Sequence, residues 1–371
     1  MGNWRNGELG NFITLKRGFD LPQQKREDGQ VPIFSSSGIT GTHSTAMVNA
    51  PGVITGRYGT IGEVFYAAED FWPLNTTLFV EDFHGNDAKF IYYFLKTLEW
   101  SKFTSASAVP GINRNTVHKE TVSLPDIETQ RRIASTLSML DEKIKTNTEI
   151  NDNLEQQAQS YFQELFVDNA SPEWTTGTIS DLGTVVGGST PSKAKPEYYT
   201  ESGIAWITPK DLSINKSKFV SHGENDITEL GLKNSSAAIM PEGTVLFSSR
   251  APIGYIAIAA GEVTTNQGFK SVVPKPEIGT PFVYFFLKNT LPVIEGMASG
   301  STFKEVSGST MKNAPAVIPD AETLAKFSDF CAPIFKQQRT LEEQNQSLAK
   351  LRDSLLPKLM SGEIDVSAVQ L

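Results

Sequence analysis

Two arginines hold equivalent places in a chain that repeats itself, and their side chains suit recognition chemistry. Arg57 lies in a turn that follows a short β-branched run, and Arg250 lies in the corresponding turn of the second half. An exposed arginine presents a planar set of donors that matches a phosphate or the edge of a guanine. The same side chain also serves to tie its own turn to a carboxylate or a carbonyl. The sequence alone leaves both interpretations open.

Two asparagines, Asn75 and Asn266, form a second equivalent pair, in the segments 74–77 and 265–268. An asparagine amide hydrogen-bonds adenine through two atoms at once, much as arginine recognises guanine. Asparagine also stabilises turns by bonding to nearby backbone. Between these two roles we favour the turn.

Residues that differ between the halves are further candidates, because a protein with two reading sites must vary where it reads and repeat where it folds. In the first half they are Ser35, Ser36, Ser37, Thr42 and Tyr58, and in the second half they are Lys193, Lys195, Lys210, Lys216, Lys218, Ser248 and Ser249. The lysines between positions 193 and 218 form the part of the chain best suited to phosphate. A solvated loop is the alternative interpretation of that cluster.

Signatures of catalysis and of metal binding are absent from the sequence. It contains no Walker A loop, no His-Glu-x-x-His, no Gly-x-Ser-x-Gly and no Gly-x-Gly-x-x-Gly pattern. The four histidines lack metal-ligand spacing, and the single cysteine, Cys331, excludes an internal disulfide and a cysteine-based zinc site. We therefore expect a chain that is not an enzyme and that holds no metal or cofactor of its own.

The charge of the chain is unevenly distributed. Its 371 residues carry a net charge of −9, which argues against nucleic acid because phosphate binding needs basic surface. Residues 125–168, however, hold four basic and nine acidic side chains, and residues 320–371 hold six basic and eight acidic ones. The Gly-rich regions 1–124 and 169–319 are therefore almost neutral, and a one-sided basic face is compatible with their composition.

The compartment follows from what the sequence lacks. No run of about 18 apolar residues is present, so we expect no membrane span. The N-terminus shows no basic start followed by an apolar stretch, so we expect no signal peptide and a cytoplasmic location.

The elements that must position these residues come in two copies. The hexapeptide Leu-Pro-Asp-Ile-Glu-Thr at 124–129 returns as Ile-Pro-Asp-Ala-Glu-Thr at 318–323. A Gly-rich region of short β-branched runs precedes each copy, and a helical apolar period follows it. The order predicts an α+β protein with two recognition domains and two helical segments. The predicted bounds are 1–124 and 169–319 for the domains, and 125–168 and 320–371 for the helical segments.

Within each Gly-rich region the pattern predicts strands and one short helix. Runs broken by Gly, Pro and Asn predict strands at 53–55, 64–66, 78–80, 245–247 and 255–259. An aromatic run and its copy predict a short buried helix in each region, at 90–98 and 282–289. The segments 105–108 and 299–302 are expected to lead each region back to its helix.

Both helical segments carry a heptad seam, with apolar residues spaced alternately by four and three, and such a seam needs a partner. We expect the two seams to pair with each other in antiparallel orientation. The register then sets three pairs opposite each other: Ile133 with Leu359, Leu165 with Phe327, and Asn147 with Asn345. Polar residues at seam positions lower stability but fix the register.

Two prolines fall inside the second helical segment. Pro333 is expected to kink or interrupt the early part of the helix, because proline lacks the N–H that an inner helical turn needs. Pro357 is expected to loosen the end of the same helix.

The doubled helix start, the turns at Arg57 and Arg250 with the Ile-Gly that follows each of them, and the ending 355–364 together resemble one family. They are similar to the DNA specificity subunits of Type I restriction-modification systems, over essentially the whole chain. The family often begins its helices with Pro-Pro-x-x-Glu-Gln. Here Gln130 retains the glutamine in the first copy, whereas the second copy has Leu324.

The resemblance implies a fold, a function and partners. The fold is two pseudo-repeated α/β target-recognition domains joined by two long antiparallel coiled-coil helices. Each domain would read one half of a split double-stranded DNA target, and the helices would set the unread gap between the halves. Two methyltransferase subunits would bind S-adenosylmethionine, and restriction subunits would use ATP and Mg. The alternative is a protein-interaction scaffold with coiled-coil assembly and no DNA readout, which explains the acidic charge more simply.

Overall fold

The computed structural model describes residues 4–104, 110–300 and 304–366. The predicted return segments therefore lie partly outside the described residues, at 105–108 and 301–302. The chain divides into two compact units, one made of Met1–Ile144 with Gln346–Leu371 and the other of Lys145–Asn345. Each unit contains one Gly-rich region and a part of each helical segment.

The first unit is built on a four-stranded antiparallel sheet. Its strands are β1 (Arg5–Glu8), β2 (Thr14–Arg17), β3 (Val31–Ser35), β4 (Gly38–His43), β5 (Gly52–Gly56), β6 (Val64–Ala67), β7 (Trp72–Pro73), β8 (Thr77–Asp82) and β9 (Thr121–Leu124), and its helices are α1 (Ala88–Lys96), α2 (Arg114–His118) and the beginning of α3 (Ile127–Gln163). The main sheet has the order β2-β8-β5-β6, beside a three-stranded sheet β4-β3-β7 and the pair β1-β9. The predicted strands at 53–55, 64–66 and 78–80 are confirmed.

Of the two inner strands of this sheet, β5 carries no charged side chain. All five residues of β5 are buried, and β5 pairs with β6 on one edge and β8 on the other. Helix α1 packs on the sheet, and Phe90 and Leu95 belong to the same core as Val53. The helix starts where the Asp87 carboxylate accepts the N–H of Phe90 at 2.9 Å, a helix cap. The predicted short buried helix of the first half is confirmed.

The second unit is built on a five-stranded sheet. Its strands are β10 (Thr175–Thr178), β11 (Gly183–Gly187), β12 (Tyr199–Thr200), β13 (Trp206–Ile207), β14 (Phe219–Val220), β15 (Asp226–Ile227), β16 (Val245–Ser249), β17 (Ile253–Ala259), β18 (Thr264–Thr265), β19 (Lys270–Pro274) and β20 (Pro315–Ile318). Its helices are α4 (Ile179–Leu182), α5 (Pro209–Ile214), α6 (Glu229–Lys233), α7 (Thr280–Gly296), α8 (Gly308–Asn313) and most of α9 (Ala321–Met360). The main sheet has the order β11-β19-β16-β17-β14, and the predicted strands at 245–247 and 255–259 are confirmed.

The aromatic helix of the second unit is longer than the sequence predicts. Helix α7 contains the expected buried residues Phe282 to Leu287, but it continues to Gly296 and passes through Pro292. The extra turns are held by tertiary packing, since Ile294 is buried in the same core as Phe285.

The repeated hexapeptide is a helix start in both copies. Asp126 accepts the N–H of Thr129 at 2.9 Å, and Asp320 accepts the N–H of Thr323 at 2.9 Å. Each aspartate thereby satisfies a backbone donor that the first helical turn leaves without a partner. Hydrogen bonds from the backbone N–H and the hydroxyl of Thr323, and from the Trp174 indole, lower the pKa of Asp320 to about 2.

The residue after the hexapeptide differs between the copies because its surroundings differ. Gln130 is fully buried and donates to Asn86 Oδ1 at 2.8 Å, while its own carbonyl accepts the N–H of Asp87 at 3.0 Å. Leu324 occupies the corresponding place in the second unit and packs in an apolar core with Phe327. One helix start is therefore fastened by polar bonds and the other by apolar contact.

The predicted antiparallel pairing of α3 with α9 is confirmed in each unit. Ile133 and Leu359 belong to one hydrophobic core in the first unit, and Leu165 and Phe327 pack together in the second unit. Early residues of one helix thus meet late residues of the other.

The two seam asparagines are in direct contact within the second unit. Asn147 Nδ2 donates to Asn345 Oδ1 at 2.9 Å, and Asn147 is fully buried. The antiparallel register of the heptads places these side chains together, as the sequence predicts. A polar pair that bonds only in one alignment disfavours a slip of the helices.

The predicted interruption of the second helical segment is wrong. Helix α9 runs unbroken from Ala321 to Met360, through both Pro333 and Pro357. A proline removes one hydrogen bond of the helix, but Ile334 and Phe335 beside Pro333 are buried in the core of the second unit. That packing holds the helical backbone at a position where local propensity would end it.

Candidate nucleic-acid interface

Four of the predicted recognition residues of the second half line one open cavity. Lys193, Lys210, Arg250 and Asn266 surround a volume of about 710 Å³, which we call the second cleft. Its other lining residues are Thr190, Tyr199, Trp206, Thr208, Pro209, Asp211, Glu224, Asn225, Ala251, Gln267 and Gly268. Side chains from positions 190 to 268 therefore converge at one place.

The first turn of α5 fixes one wall of the second cleft. Thr208 Oγ1 and Asp211 exchange hydrogen bonds across this turn, with the Thr208 N–H donating to the Asp211 carboxylate at 2.7 Å. This capping box holds Lys210 at the cleft. Its ammonium lies 2.5 Å from the Glu224 carboxylate, and both side chains are exposed. Lys210 thus reaches the cleft with its charge already paired.

Arg250 enters the second cleft directly after β16. Its guanidinium lies 3.6 Å from the Glu305 carboxylate, which also accepts Lys270 at 3.5 Å, and the Arg250 side chain remains 37% exposed. The contact with Glu305 matches the interpretation that this arginine ties its turn to a carboxylate. Its exposure leaves it available to a ligand in the cleft.

Asn266 forms the turn that the sequence favours for it. Its Oδ1 accepts the N–H of Gly268 at 2.8 Å, which closes an asparagine turn. The neighbouring Gln267 accepts a hydrogen bond from the Thr190 hydroxyl across the cleft wall. The turn therefore shapes the cleft whether or not the amide meets a base.

The first unit has a cavity at the equivalent arginine. Arg57 and Tyr58 line a volume of about 470 Å³, the first cleft, together with Arg17, Leu78, Gly111, Ile112, Asn113, Arg114 and Asn115. Three of these residues are arginines, and none of the lining residues that the structure describes is acidic. The cleft therefore has the electrostatic character that phosphate or guanine requires.

The turn that carries Arg57 is held by its backbone and by its own aromatic neighbour. The Arg57 N–H donates to the Thr76 carbonyl at 2.9 Å, and its carbonyl accepts the N–H of Ile112 at 3.0 Å. The guanidinium lies 4.5 Å from the centre of the Tyr58 ring, a cation–π contact that leaves the edge donors of the guanidinium open.

The serine hairpin of the first half lies beside this turn. Gly59 has a positive φ of 75°, and a side-chain atom there would come within 3.2 Å of Ser36 Oγ. Ser35 and Ser37 bond to each other through their hydroxyls at 3.0 Å. Thr42 is exposed farther along β4. Asn75 bonds to the Asp20 carboxylate and is not among the lining residues of the first cleft.

Three predicted recognition residues of the second half do not face a ligand, and the prediction for them is corrected. Lys218 is 7% exposed and donates to Glu155 at 2.7 Å. Ser248 and Ser249 are fully buried, and their hydroxyls donate to backbone carbonyls of Pro252 and Gly268. Buried side chains whose donors are used inside the fold serve the scaffold.

Lys195 and Lys216 are exposed but lie over aromatic rings outside the lining of the second cleft. The Lys195 ammonium is 5.3 Å from the centre of the Tyr198 ring, and the Lys216 ammonium is 4.9 Å from that of Tyr255. The lysines that looked like one cluster in the sequence therefore occupy different surroundings.

The sequence prediction missed Arg17 and Arg114 of the first cleft. Arg17 ends β2 and Arg114 begins α2, so the two lie far apart in the chain. The repeat offered a signal for Arg114. This arginine follows the segment 105–108, and another basic residue, Lys304, follows the corresponding segment 299–302.

The model of one known protein family matches most of this chain. The family model for the Type I restriction modification DNA specificity domain matches residues 1–156 and 172–350. The chain belongs to this family. The match covers both units and leaves out only short stretches at the end of α3 and at the C-terminus.

Relatives within the specificity family are similar over different lengths. The Type I restriction enzyme MjaIX specificity subunit of Methanocaldococcus jannaschii is 38% identical over 192 residues, which are 51% of this chain and 44% of that protein. This match thus spans less than half of the relative. The HindI specificity subunit of Haemophilus influenzae is 24% identical over 347 residues, covering 72% of this chain and 75% of that protein.

A solved structure has the same fold. The crystal structure of a Type I restriction-modification S subunit from M. genitalium superposes with a TM-score of 0.66 at 19% identity, over 97% of this chain and 96% of that one. This likeness concerns the fold.

Two features are absent from the described residues. Within residues 4–104, 110–300 and 304–366, no group of three or more His, Cys, Asp and Glu side chains could hold a metal ion. Among the same residues no helix is both long and apolar enough to cross a membrane.

Proposed function

We propose that this chain is the non-catalytic specificity subunit of a Type I restriction-modification complex. Each recognition domain reads one half of a bipartite double-stranded DNA target, and the paired helices α3 and α9 set the unread gap. The scaffold alternative does not account for membership in a family of DNA specificity domains.

The observation that carries the proposal is the repetition of an arginine-lined cleft. Arg57 and Arg250 leave equivalent strands of the two units, and each lines an open cavity. A guanidinium in such a place pairs with two acceptors of a guanine or a phosphate. Two such clefts on one chain suit a target that is recognised in two parts.

The partners supply what this chain lacks. We propose that two methyltransferase subunits dock on it and bind S-adenosylmethionine, and that restriction subunits, with ATP and Mg, complete the assembly in the cytoplasm. The acidic helical segments are compatible with this division, because partner subunits then provide much of the nonspecific phosphate contact.

A competition binding experiment tests the proposal. The chain assembled with its methyltransferase subunits is expected to protect two separated stretches of DNA, and to methylate adenines within a two-part motif. Exchange of residues 1–124 for those of a relative should change one half of the motif only. Binding no tighter than that of the methyltransferase subunits alone would disprove the proposal.

A further inference from the structure

The second unit contains a buried ionic cluster between its recognition domain and its helices. Lys218 stands directly before β14, the edge strand of the five-stranded sheet, and its side chain points away from solvent. Its ammonium lies 2.7 Å from a Glu155 oxygen on α3 and 2.9 Å from Gln338 Oε1 on α9. One side chain of the recognition domain thus bonds to both helices of the pair.

The backbone at the same place makes a second attachment. The N–H groups of Lys218 and Phe219 both donate to the Glu342 carboxylate on α9, at 2.7 Å and 3.0 Å. Burial raises the pKa of Glu342, although these two N–H groups favour its charged form. Glu342 therefore holds the edge strand by two directed bonds that rotation of the domain would break.

Aromatic rings and a second lysine complete the surroundings of Lys218. The ammonium lies 3.6 Å from the centre of the Phe335 ring and 4.4 Å from that of Tyr284. Lys288 on α7 also reaches Glu155, at 2.5 Å. Glu155 therefore joins α3 to two elements of the recognition domain, to β14 through Lys218 and to α7 through Lys288.

Burial opposes the charged forms of both Lys218 and Glu155. Burial lowers the pKa of Lys218 to about 8, although Glu155 acts in the opposite direction. Burial also acts to raise the pKa of Glu155, but Lys218 and Lys288 outweigh it and the pKa lies below its ordinary value. Buried ion pairs of this kind are often no more stabilising than apolar side chains of similar volume, but their bonds have defined directions.

The geometry points to a positioning role: we propose that Lys218 and Glu155 fix the orientation of the second recognition domain on α3 and α9, and thereby the gap length that the protein accepts between its two half-sites. The inference rests on the proposed function. Both side chains are largely buried and neither lines the second cleft, so both act through the placement of the domain.

A double substitution removes both charges without leaving one of them alone. Lys218→Met keeps the apolar stem against Phe335, and Glu155→Gln keeps an acceptor for Lys288. The matched control is Lys233→Met, which removes an exposed ammonium from α6 of the same domain, where it pairs with Glu229 at 3.5 Å. All variants are assembled as full chains with the methyltransferase subunits.

The measured quantity is the affinity for the methylation target relative to the same target with one base pair added to, or removed from, its gap. The wild type and Lys233→Met are expected to share one ratio. In the double variant this ratio should fall by about threefold or more, as expected for directly coupled residues. The preference for each half-site sequence should remain, because the clefts are untouched.

The outcomes separate the two proposals. A double variant that assembles and retains the wild-type ratio overturns the positioning role. If that variant does not assemble, Glu342→Gln provides the test, since it weakens the backbone attachment alone; an unchanged ratio there also overturns the role. A wild type without sequence-specific binding overturns the proposed function itself.

Discussion

The two units share a backbone plan and surround it with different charges. The first cleft contains three arginines with no acidic lining residue among those described, whereas the second cleft sets Lys210 against Glu224 and Arg250 against Glu305. Arg250 thus meets a ligand with a carboxylate already beside it, whereas no carboxylate among the described residues pairs with Arg57. The fold was duplicated, but the electrostatics of each cleft diverged.

The attachments between recognition domain and helices differ in the same way. In the first unit Tyr93 on α1 donates to Asp141 on α3 at 2.6 Å, and Arg352 on α9 bonds to the other Asp141 oxygen at 2.7 Å. Burial and the bond to Asp141 raise the pKa of Tyr93. The second unit instead buries Lys218 with Glu155. We call these two attachments joints. The joint of the first unit contains a neutral phenol, and the joint of the second unit contains a buried ammonium.

Removal of the central carboxylate, Glu155 or Asp141, should produce the largest difference between the two attachments. Glu155→Ala should lower the free energy of unfolding by roughly 3–5 kcal/mol, because it leaves a buried ammonium unpaired. Asp141→Ala should cost only about 1–2 kcal/mol, since Arg352 keeps its contact with Asp353 at 2.8 Å. Urea unfolding measures both, with the exposed Glu149→Ala as control. Equal losses would show that the joints are energetically alike.

Arginine removal compares the two clefts. Arg57→Ala should weaken binding of the assembled complex to its target by about 1–3 kcal/mol, since none of the described residues that line that cleft is acidic. Arg250→Ala should weaken it less, because binding must compete with Glu305. Fluorescence anisotropy at fixed salt measures the affinities, and Arg132→Ala, on an exposed stretch of α3, is the control. A larger effect at Arg250 would contradict the contrast.

The pH dependence of stability sharpens the contrast between the joints. Lys218 has a pKa of about 8 in the folded chain, below its ordinary value. Between these two values the unfolded chain binds the proton and the folded chain does not, so this group makes stability rise with pH. From pH 8 to pH 9 the wild type should gain about 1 kcal/mol relative to Lys218→Met.

That comparison cancels the titration of other groups, which both proteins share. Unfolding in urea at each pH gives the two free energies. A difference that stays constant, or that moves in favour of Lys218→Met, would show that Lys218 keeps an ordinary pKa.

The smallest expected effect concerns salt. Arg114→Gln should reduce the slope of log affinity against log salt by about one, as for a single phosphate contact. Lys210→Gln should change the slope less, because Glu224 already neutralises that ammonium. Titrations at several salt concentrations measure both slopes. Equal changes would mean that Glu224 releases Lys210 on binding.

Periodic features of the chain could be predicted from the sequence because they repeat at every turn or strand. The heptads gave the antiparallel register and the contact of Asn147 with Asn345, and the β-branched runs gave the strands of both sheets. Local rules failed at Pro333, where tertiary packing outweighs the propensity of one residue.

Side-chain surroundings could not be predicted, because they depend on contacts between distant segments. Lys218 belongs to a run of lysines that suits phosphate, yet the docking of β14 on α3 and α9 buries it. Arg17 and Arg114 reach the first cleft from separate elements, and no spacing in the sequence links them to Arg57.

The different residues that follow the hexapeptide, Gln130 and Leu324, limit how genes of this kind can recombine. The hexapeptide offers a natural crossover point, since both copies encode nearly the same residues. A crossover that joined the first domain to the second helix would place Leu324 where Gln130 stands, and would leave the buried Asn86 Oδ1 without its donor. An unpartnered buried polar group costs roughly 1–3 kcal/mol. Viable shuffling of half-genes must therefore carry the residue after the hexapeptide along with its own domain.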